Sequence, residues 1–239
     1  MCEAPETFFD NFPKNPTDEV VLNIESLTQF ASNIVAFCEL QGKALYLIKN
    51  DVGGNIKKIS NSCGKYKAST VEEMLVKEKE AKVNKNDNSG SIGLLWLTRA
   101  IELVIEVMVE LPASSDRNMR EIGRAAYAKT LMKHHNAIMK NLFYAGLALF
   151  PDKHSFLLRL AYNKPNMDTQ VLDAMKEFVT QYRNVMEPVQ QLLVKYGIED
   201  SPITEPENSK CVNATAKISA FLNEEECLCS KEKRNYKVL

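Results

Sequence analysis

A helix with a polar stripe is predicted by the stretch Lys49-Asn50-Asp51-Val52-Gly53-Gly54-Asn55-Ile56-Lys57-Lys58-Ile59. At about 100° per residue, Asp51, Asn55 and Lys58 share a strip roughly 60° wide. The apolar band beside that strip is formed by Leu45, Ile48, Val52, Ile56 and Ile59. A carboxylate accepts hydrogen bonds, an ammonium donates them, and an amide does both. The stripe therefore suits a ligand rich in hydroxyl and amide groups, or else it is an ordinary solvated face of a surface helix.

Two adjacent glycines stand inside this predicted helix. Gly53 and Gly54 each cost about 1 kcal/mol relative to alanine in a helix interior. One reason for them would be the close approach of another backbone.

Composition indicates a soluble globular protein, with 45% hydrophobic and 26% charged residues in a chain of 239. The net charge of −1 argues against a large basic surface for nucleic acid. Six cysteines without CxxC spacing and three histidines argue against a zinc site, and no metal or cofactor is expected. The acidic N-terminus lacks the apolar core of a signal peptide, so a cytosolic protein with reduced thiols is expected.

Hydrophobic periodicity is helical along the chain, which predicts an all-α fold. Helices are expected at about 17–40, from after Gly42 to about 60, and at about 70–83, 91–111, 114–150, 152–160 and 168–196. A turn is expected at Cys63-Gly64-Lys65, and Pro188 is expected to kink or break the last helix. The predicted organisation is an N-terminal tail at 1–16, a domain at 17–197, a flexible acidic insertion at 198–234, and a C-terminal segment at 235–239 that returns to the domain.

Two ring side chains lie on or beside the apolar faces of predicted helices. Trp96, the only tryptophan, lies between the apolar and charged faces of the helix at 91–111. It is either a packing residue or a flat platform that stacks on a sugar ring. His135 lies in an apolar stripe of the helix at 114–150, where a buried imidazole requires a hydrogen-bond partner. It is either a satisfied core residue or part of a polar site.

Motifs for covalent chemistry are missing from the sequence. There is no nucleophile motif, glycine-rich phosphate loop, HExxH or EF-hand loop. A glycolipid hydrolase would need two carboxylates facing one bond, and only Asp51 is suitably placed. No catalytic residues are therefore predicted, and an enzyme is not expected.

Four segments resemble motifs of glycolipid transfer proteins, in the same order and with similar separations. Residues 51–59 resemble the DxxGNxxKI helix of that family, and residues 94–100 resemble its LxWLxRG/A helix. Residues 127–135 resemble the segment that ends in the headgroup histidine. The end of the chain, Asn235-Tyr236-Lys237-Val238, resembles the family's C-terminal Asn-Tyr-Lys-Val. The resemblance covers roughly residues 20–197 and the last few residues.

The resemblance implies a two-layer helical sandwich that holds one glycosphingolipid, with its sugar in a surface pocket and its hydrocarbon chains in an apolar tunnel. It also implies that His135 and Asp51 together bind the ceramide amide. The implied sugar-binding residues are Asp51, Asn55, Lys58, Trp96 and Tyr236. The implied tunnel residues are Phe37, Leu45, Ile48, Leu103, Leu131, Phe143, Leu147 and Phe178.

The implied function is that of a soluble, monomeric carrier that moves a glycosphingolipid between membranes through transient peripheral contact. In the ceramide-1-phosphate branch of the family, extra basic residues stand at the positions of Asn55 and Trp96, so these two residues favour a neutral sugar headgroup. One alternative is a carrier of ceramide-1-phosphate or another sphingolipid. The other is a glycolipid sensor or adaptor without net transfer. The family's membrane-docking tryptophan is Ala137 in this chain.

Overall fold

The computed structural model describes residues 6–114 and 116–199, and within these residues the fold is helical. The α-helices are α1 (Glu19–Leu22), α2 (Ile24–Leu40), α3 (Tyr46–Tyr66), α4 (Val71–Glu80), α5 (Gly90–Ala113), α6 (Met119–Lys129), α7 (Ala137–Leu147), α8 (Lys153–Leu160), α9 (Asp168–Val185) and α10 (Glu187–Lys195). Three short 3₁₀ turns span Phe8–Asn11, Gly42–Leu45 and Leu131–His134. The described residues contain no strand beyond one isolated bridge, and the predicted all-α fold is confirmed.

Helix α5 lies at the centre of the packing. It contacts α3 most extensively and also contacts α4, α6, α9 and α10, while α3 packs against α2 on another side. Most residues of α5 are buried, including Leu94, Ile101 and Val104. Full burial of such an aliphatic side chain contributes about 1.5–3 kcal/mol. The helix that carries Trp96 is therefore also the helix around which the core is built.

Helix α3 is longer than the periodicity predicts. The expected turn at Cys63-Gly64-Lys65 is wrong, because the helix continues to Tyr66. It ends where Lys67 adopts a φ of 53°, and the N–H of Lys67 donates to the carbonyl of Cys63. This left-handed residue ends the helix in the way that a C-terminal glycine commonly does.

The two glycines of α3 do not contact another helix. A Cβ on Gly53 or Gly54 would meet no atom of a neighbouring element within 4 Å, so close approach of another backbone is not the reason for these glycines. The close approach lies on α5 instead. A Cβ on Gly93 would lie 2.9 Å from the Cβ of Lys58 and 3.2 Å from the carbonyl oxygen of Asn55. Gly93 therefore allows α5 to approach α3 beside its polar stripe.

The long helix predicted at about 114–150 is wrong, because the chain breaks between α6 and α7. Thr130 leaves the helical region, with φ −113° and ψ −91°. Asn136 caps α7, and its side-chain oxygen accepts from the N–H of Met139 at 3.0 Å. Side chains of this type compete with continuous helix by bonding to nearby backbone groups. His135 consequently lies in the non-helical segment between α6 and α7, with an extended backbone at φ −103° and ψ 137°. It is not part of the apolar face of a helix.

The predicted break at Pro188 is present. Helix α9 ends at Val185 and α10 begins at Glu187, which places the proline in the first turn of the new helix. Proline is tolerated there because the first N–H groups of a helix have no intrahelical acceptor.

Both ends of the described chain are packed against the domain. Phe8, Phe9 and Phe12, in the predicted N-terminal tail, are buried. At the other end Ile198 is fully buried, and Glu199 forms an ion pair with Arg99 at 3.3 Å. The rest of the predicted insertion and the C-terminal segment lie outside the described residues.

A buried carboxylate joins α3, α4 and the start of α5. Glu78 on α4 is 1% exposed and accepts a hydrogen bond from the hydroxyl of Ser62 at 2.6 Å. It also accepts from the N–H of Gly90 at 2.7 Å, and from the N–H and hydroxyl of Ser91 at 2.8 and 2.6 Å. These N–H groups belong to the first turn of α5, where the helix dipole favours a negative charge. Glu78 therefore fixes the start of the helix that positions Trp96.

Replacement of Glu78 by alanine is expected to lower the free energy of unfolding by about 3 kcal/mol or more, because several buried donors lose their acceptor. Urea denaturation measures this change. The matched control is Glu80→Ala, two residues further along and exposed, which should change stability by less than about 0.5 kcal/mol. Equal effects of the two substitutions would contradict the role of Glu78.

Candidate functional site

The predicted polar stripe lies on α3 at the border with α5. Asp51 is exposed, Lys58 is half-buried, and Asn55 is 2% exposed. Gly93 of α5 lies against this stripe. Trp96 follows Gly93 by about one helical turn and lies on the same face of α5. The half-buried Trp96 and the stripe therefore border one region of the surface.

Two opposing effects act on the carboxyl of Asp51. Neighbouring protein restricts its hydration and raises its pKa to about 6, although part of the residue remains exposed. The charge of Lys58, and then the amide of Asn55, oppose this shift and favour the carboxylate. The Nδ2 of Asn55 is buried, and it has no hydrogen bond of normal geometry to any residue that the structure describes. A ligand with an acceptor group would satisfy this donor.

Four rings, Trp96 among them, form a cluster. His135 stacks on Trp96, with 5.9 Å between ring centroids and 24° between planes. Phe143 lies 4.7 Å from His135 and stacks on Tyr127 at 4.9 Å. The hydroxyl of Tyr127 lies 2.9 Å from the Nδ1 of His135. His135 is therefore held on several sides, and it lies between the half-buried Trp96 and the buried Phe143.

The break between α6 and α7 positions His135 in this cluster. Burial lowers the pKa of His135 to about 4, and the positive charges around it act in the same direction. Burial also lowers the pKa of the adjacent His134 to about 4. Both imidazoles are consequently neutral at pH 7. In the neutral form His135 has one donor nitrogen and one acceptor nitrogen.

Arg99 was not among the predicted site residues, although it is the arginine of the LxWLxRG/A motif. The predicted charged face of α5 suggests a solvated arginine, but Arg99 is 6% exposed, and its guanidinium carbon lies 5.1 Å from the Trp96 ring centroid. One nitrogen pairs with Glu199. Its Nε and Nη1 are buried and make no hydrogen bond to any described residue. Burial lowers the pKa of Arg99, opposed by Glu199.

All the residues of the predicted tunnel are buried. Their exposed fractions range from 0 to 6%, and the set comprises Phe37, Leu45, Ile48, Leu103, Leu131, Phe143, Leu147 and Phe178. Phe143 connects this set to the ring cluster through its contact with His135. Two surface cavities, of about 440 and 410 Å³, lie elsewhere, one between α1 and α10 and one beside the N-terminal turn.

The remaining predictions on the site concern residues at its edges or outside the structure. Tyr236 lies outside the described residues, so its part in sugar binding stays a prediction. Among residues 6–114 and 116–199 no group of three or more His, Cys, Asp or Glu side chains could hold a metal ion. No helix in these ranges is long and apolar enough to cross a membrane.

The fold and site define a class: an all-α protein in which polar and ring side chains at the surface adjoin a buried aromatic interior. The sequence model of the glycolipid transfer protein (GLTP) family matches residues 22–162. Because this match covers more than half of the chain, the protein belongs to the glycolipid transfer protein family. Members of this family are lipid transfer proteins and not enzymes, which confirms the predicted class.

Individual relatives agree with this assignment. Glycolipid transfer protein 1 of Arabidopsis thaliana is 29% identical over 143 residues, which are 59% of this chain and 71% of the relative. The glycolipid transfer protein of Aureobasidium melanogenum is 27% identical over 172 residues, which are 69% of this chain and 84% of the relative.

Solved structures show the same fold. A structure of FAPP2, described as selecting simple glycosphingolipids with the GLTP-fold, superposes with a TM-score of 0.69 at 21% identity, over 80% of this chain and 97% of that one. Mouse ceramide-1-phosphate transfer protein in its apo form superposes with a TM-score of 0.70 at 19% identity. The superposition covers 82% of this chain and 97% of the mouse protein. At these identities the likeness establishes the fold alone, and it confirms the predicted two-layer helical architecture.

Proposed function

We propose that this protein binds one glycosphingolipid at the Asp51–Trp96–His135 region and carries it between membranes. The observation that carries the proposal is the Asn55 amide, which is buried on α3 beside the Asp51 carboxyl and whose Nδ2 makes no hydrogen bond of normal geometry to a described residue. A buried unsatisfied donor costs about 1–3 kcal/mol, which a bound acceptor would recover. Sugar hydroxyls both donate and accept, and they match an acid, an amide and an amine on one helix face.

The ring cluster gives each part of the lipid a partner. Trp96 is half-buried, and its accessible ring surface would stack on the apolar side of the first sugar, while His135 and Arg99 hold the ring in place. Tyr127 is buried, and donation of its hydroxyl proton to the Nδ1 of His135 leaves the Nε2–H of the neutral imidazole as a donor. That donor suits the ceramide carbonyl, and the Asp51 carboxylate suits the ceramide N–H. One site thereby binds both the sugar headgroup and the ceramide amide, each through its own set of contacts.

The buried apolar residues receive the hydrocarbon chains. Each methylene moved from water into an apolar interior gains about 0.8 kcal/mol, so a dry interior can hold a lipid outside a membrane without any covalent step. The eight predicted tunnel residues are all buried, and chain binding would require side chains of the apolar interior to move apart. The polar contacts at the surface then decide which lipid is carried.

A second candidate ligand is ceramide-1-phosphate, and the observation that favours it is Arg99. Its buried Nε and Nη1 make no hydrogen bond to a described residue, and each could donate to an oxygen of a phosphate group. The neutral side chains of Asn55 and Trp96, and the negative charge of Asp51, favour the uncharged sugar instead. A glycosphingolipid is therefore the ligand that we propose, and ceramide-1-phosphate is the second candidate.

The proposal is tested by lipid transfer between vesicles. Donor vesicles would contain a fluorescent glucosylceramide and a non-transferable quencher, and the protein should restore emission by moving the lipid to acceptor vesicles. Unlabelled galactosylceramide or glucosylceramide should compete, and ceramide-1-phosphate should not. Competition by ceramide-1-phosphate alone would establish the second candidate. Binding without transfer would indicate a sensor or adaptor and contradict the carrier proposal.

The face around the start of α7 is the proposed membrane contact, which we expect a monomer in the cytosol to make transiently. Ile138 is 45% exposed and follows His135 by three residues. Lys133 and Lys140 flank it in the sequence and supply positive charge toward anionic lipids. Insertion of Ile138 would compensate for Ala137 at the position of the family's docking tryptophan.

Replacement of Ile138 by glutamate is expected to lower transfer about tenfold or more, since an apolar side chain worth about 1.5–3 kcal/mol on burial is exchanged for a charge. Binding of a short-chain glycolipid in solution should stay unchanged. Val194→Glu is the matched control, because Val194 is 53% exposed on the remote α10. Loss of transfer in both variants, or in neither, would contradict this docking surface.

A further inference from the structure

The N-terminal aromatic segment, residues 6–13, is not a surface tail. Its rings Phe8, Phe9 and Phe12 are 3, 7 and 5% exposed. The segment lies outside the region that the family's sequence model matches, which begins at residue 22. The buried aromatic residues of this segment therefore belong to the part of the chain that the family pattern does not describe.

These rings pack directly on two predicted tunnel residues. Phe8 lies 5.8 Å from Phe37, while Phe9 and Phe12 lie 5.5 and 4.6 Å from Phe178. Phe37 is on α2 and Phe178 is on α9, so the segment closes the space between two helices. Aromatic pairs of this kind contribute about 0.5–1.5 kcal/mol beyond the area that they bury.

A continuous row of apolar contacts connects this end of the core with the headgroup end. From His135 it passes to Phe143, and then to Leu147, one turn further along α7. A Cβ on Gly123 would contact both Leu147, at 2.9 Å, and Phe150, at 2.6 Å, so these two side chains share one contact surface on α6.

The second half of the row consists of phenylalanine rings alone. Phe150 lies 6.1 Å from Phe156, Phe156 lies 6.0 Å from Phe37, and Phe37 lies 5.8 Å from Phe8. A hydrocarbon chain that enters beside His135 and follows this row would end against the rings of the N-terminal aromatic segment.

The segment is held by its rings and by a few hydrogen bonds to the domain. Asn11 donates to the Tyr162 hydroxyl at 2.6 Å and accepts from Asn33 at 3.2 Å, and Pro13 accepts from the Tyr182 hydroxyl at 3.0 Å. The surface cavity of about 410 Å³ lies alongside, between the segment, α2 and Tyr162. These contacts fix the position of the rings, while one side of the N-terminal aromatic segment borders the surface cavity.

From this arrangement we propose that Phe8 and Phe9 form the closed end of the acyl-chain tunnel and set the longest acyl chain that the protein binds. The inference rests on the proposed function, because it concerns the same lipid, and it adds a determinant of chain length. Methylenes that fit before the rings gain apolar burial, about fourfold in affinity for each. Methylenes beyond that point would have to displace the rings, so affinity stops rising.

The test is a binding series with glucosylceramides whose acyl chains range from eight to twenty-four carbons, measured on the full-length protein. Wild-type affinity should rise with chain length and then level off or fall at a break point. Phe9→Leu should move the break point to longer chains, and Phe9→Trp should move it to shorter ones. Leu75→Ala, a buried truncation on α4, controls for loss of stability and should leave the break point unchanged.

The outcomes separate this inference from the proposed function. If wild type binds these lipids but the break point is the same in Phe9→Leu, Phe9→Trp and Phe8→Leu, the assignment of the segment is overturned and the proposed function stands. If wild type binds no glucosylceramide of any length, both are overturned. A shift that also appears in Leu75→Ala would likewise count against the assignment.

Discussion

Substitution of Asp51 by valine is expected to abolish glycolipid transfer while the helix content stays unchanged. The carboxylate is the only acceptor-only group on the α3 stripe, and it faces both the sugar and the ceramide N–H in the proposed complex. Loss of charge-assisted hydrogen bonds of about 1.5–3 kcal/mol each corresponds to a reduction of at least tenfold in binding. Because the surrounding protein raises the pKa of Asp51 to about 6, its removal should not destabilise the fold.

Two controls make this prediction specific. Asp51→Asn keeps one acceptor oxygen and should retain part of the activity. Asp173→Val places the same change on an exposed aspartate of α9, and it should leave transfer unchanged. Vesicle transfer and circular dichroism measure the two properties. Full transfer by a folded Asp51→Val protein would overturn the site assignment.

Substitution of Trp96 by alanine is expected to weaken glycolipid binding by about thirtyfold, because a central aromatic anchor commonly contributes 2 kcal/mol or more. The stability loss should be smaller than the 3–5 kcal/mol of a fully buried tryptophan, because Trp96 is only half-buried. Titration with short-chain glucosylceramide and urea denaturation measure the two effects. The substitution also removes the ring on which His135 stacks and over which Arg99 lies.

A conservative variant distinguishes a ligand platform from a packing residue. Trp96→Phe keeps a flat ring and should restore most of the binding, although it removes the indole N–H. If binding and folding fall equally in Trp96→Ala, and Trp96→Phe restores both, then Trp96 is a packing residue and the stacking proposal is wrong.

Helical periodicity and caps predicted most of the fold. The start of α4 is an example: Thr70 accepts from the N–H of Glu73 at 3.2 Å, which is the Thr-x-x-Glu spacing of a capping box. The break between α6 and α7 was missed, because the apolar spacing continues through it and does not show where the helix stops. Asn136 carried the available signal, a capping residue before a new apolar run.

The positions of the α3 polar stripe and of Trp96 at the edge of the apolar face of α5 were predictable from the sequence, but the burial of the charged residues of α5 was not. A helical wheel places Arg99, Glu102, Glu106 and Glu110 on one charged face of α5, and of these four only Glu102 is exposed. In the structure α6 and α9 cover that face, and Glu106 binds Lys129 at 2.8 Å and Arg183 at 3.0 Å. Which polar residues are buried depends on neighbouring helices, and a single helix cannot indicate this.

Close contacts between helices were also beyond the reach of the sequence. Gly53 and Gly54 suggested a close contact on α3, yet the residue that allows α5 to approach α3 is Gly93. A glycine is favoured by tight packing, by a turn or by neither, and its identity alone does not distinguish these cases. The burial of Phe8 and Phe9 is likewise not indicated by the sequence, because a short aromatic segment before the first helix shows no periodicity.

The central claim is that a glycolipid headgroup binds against Trp96, and the emission of this single tryptophan tests it most directly. The protein would be titrated with vesicles that contain galactosylceramide or glucosylceramide, and separately with vesicles that contain ceramide-1-phosphate. We predict a saturable blue shift and quench with the glycolipids alone. A response to ceramide-1-phosphate alone, or no response to any of these lipids from well-folded protein, would contradict the claim.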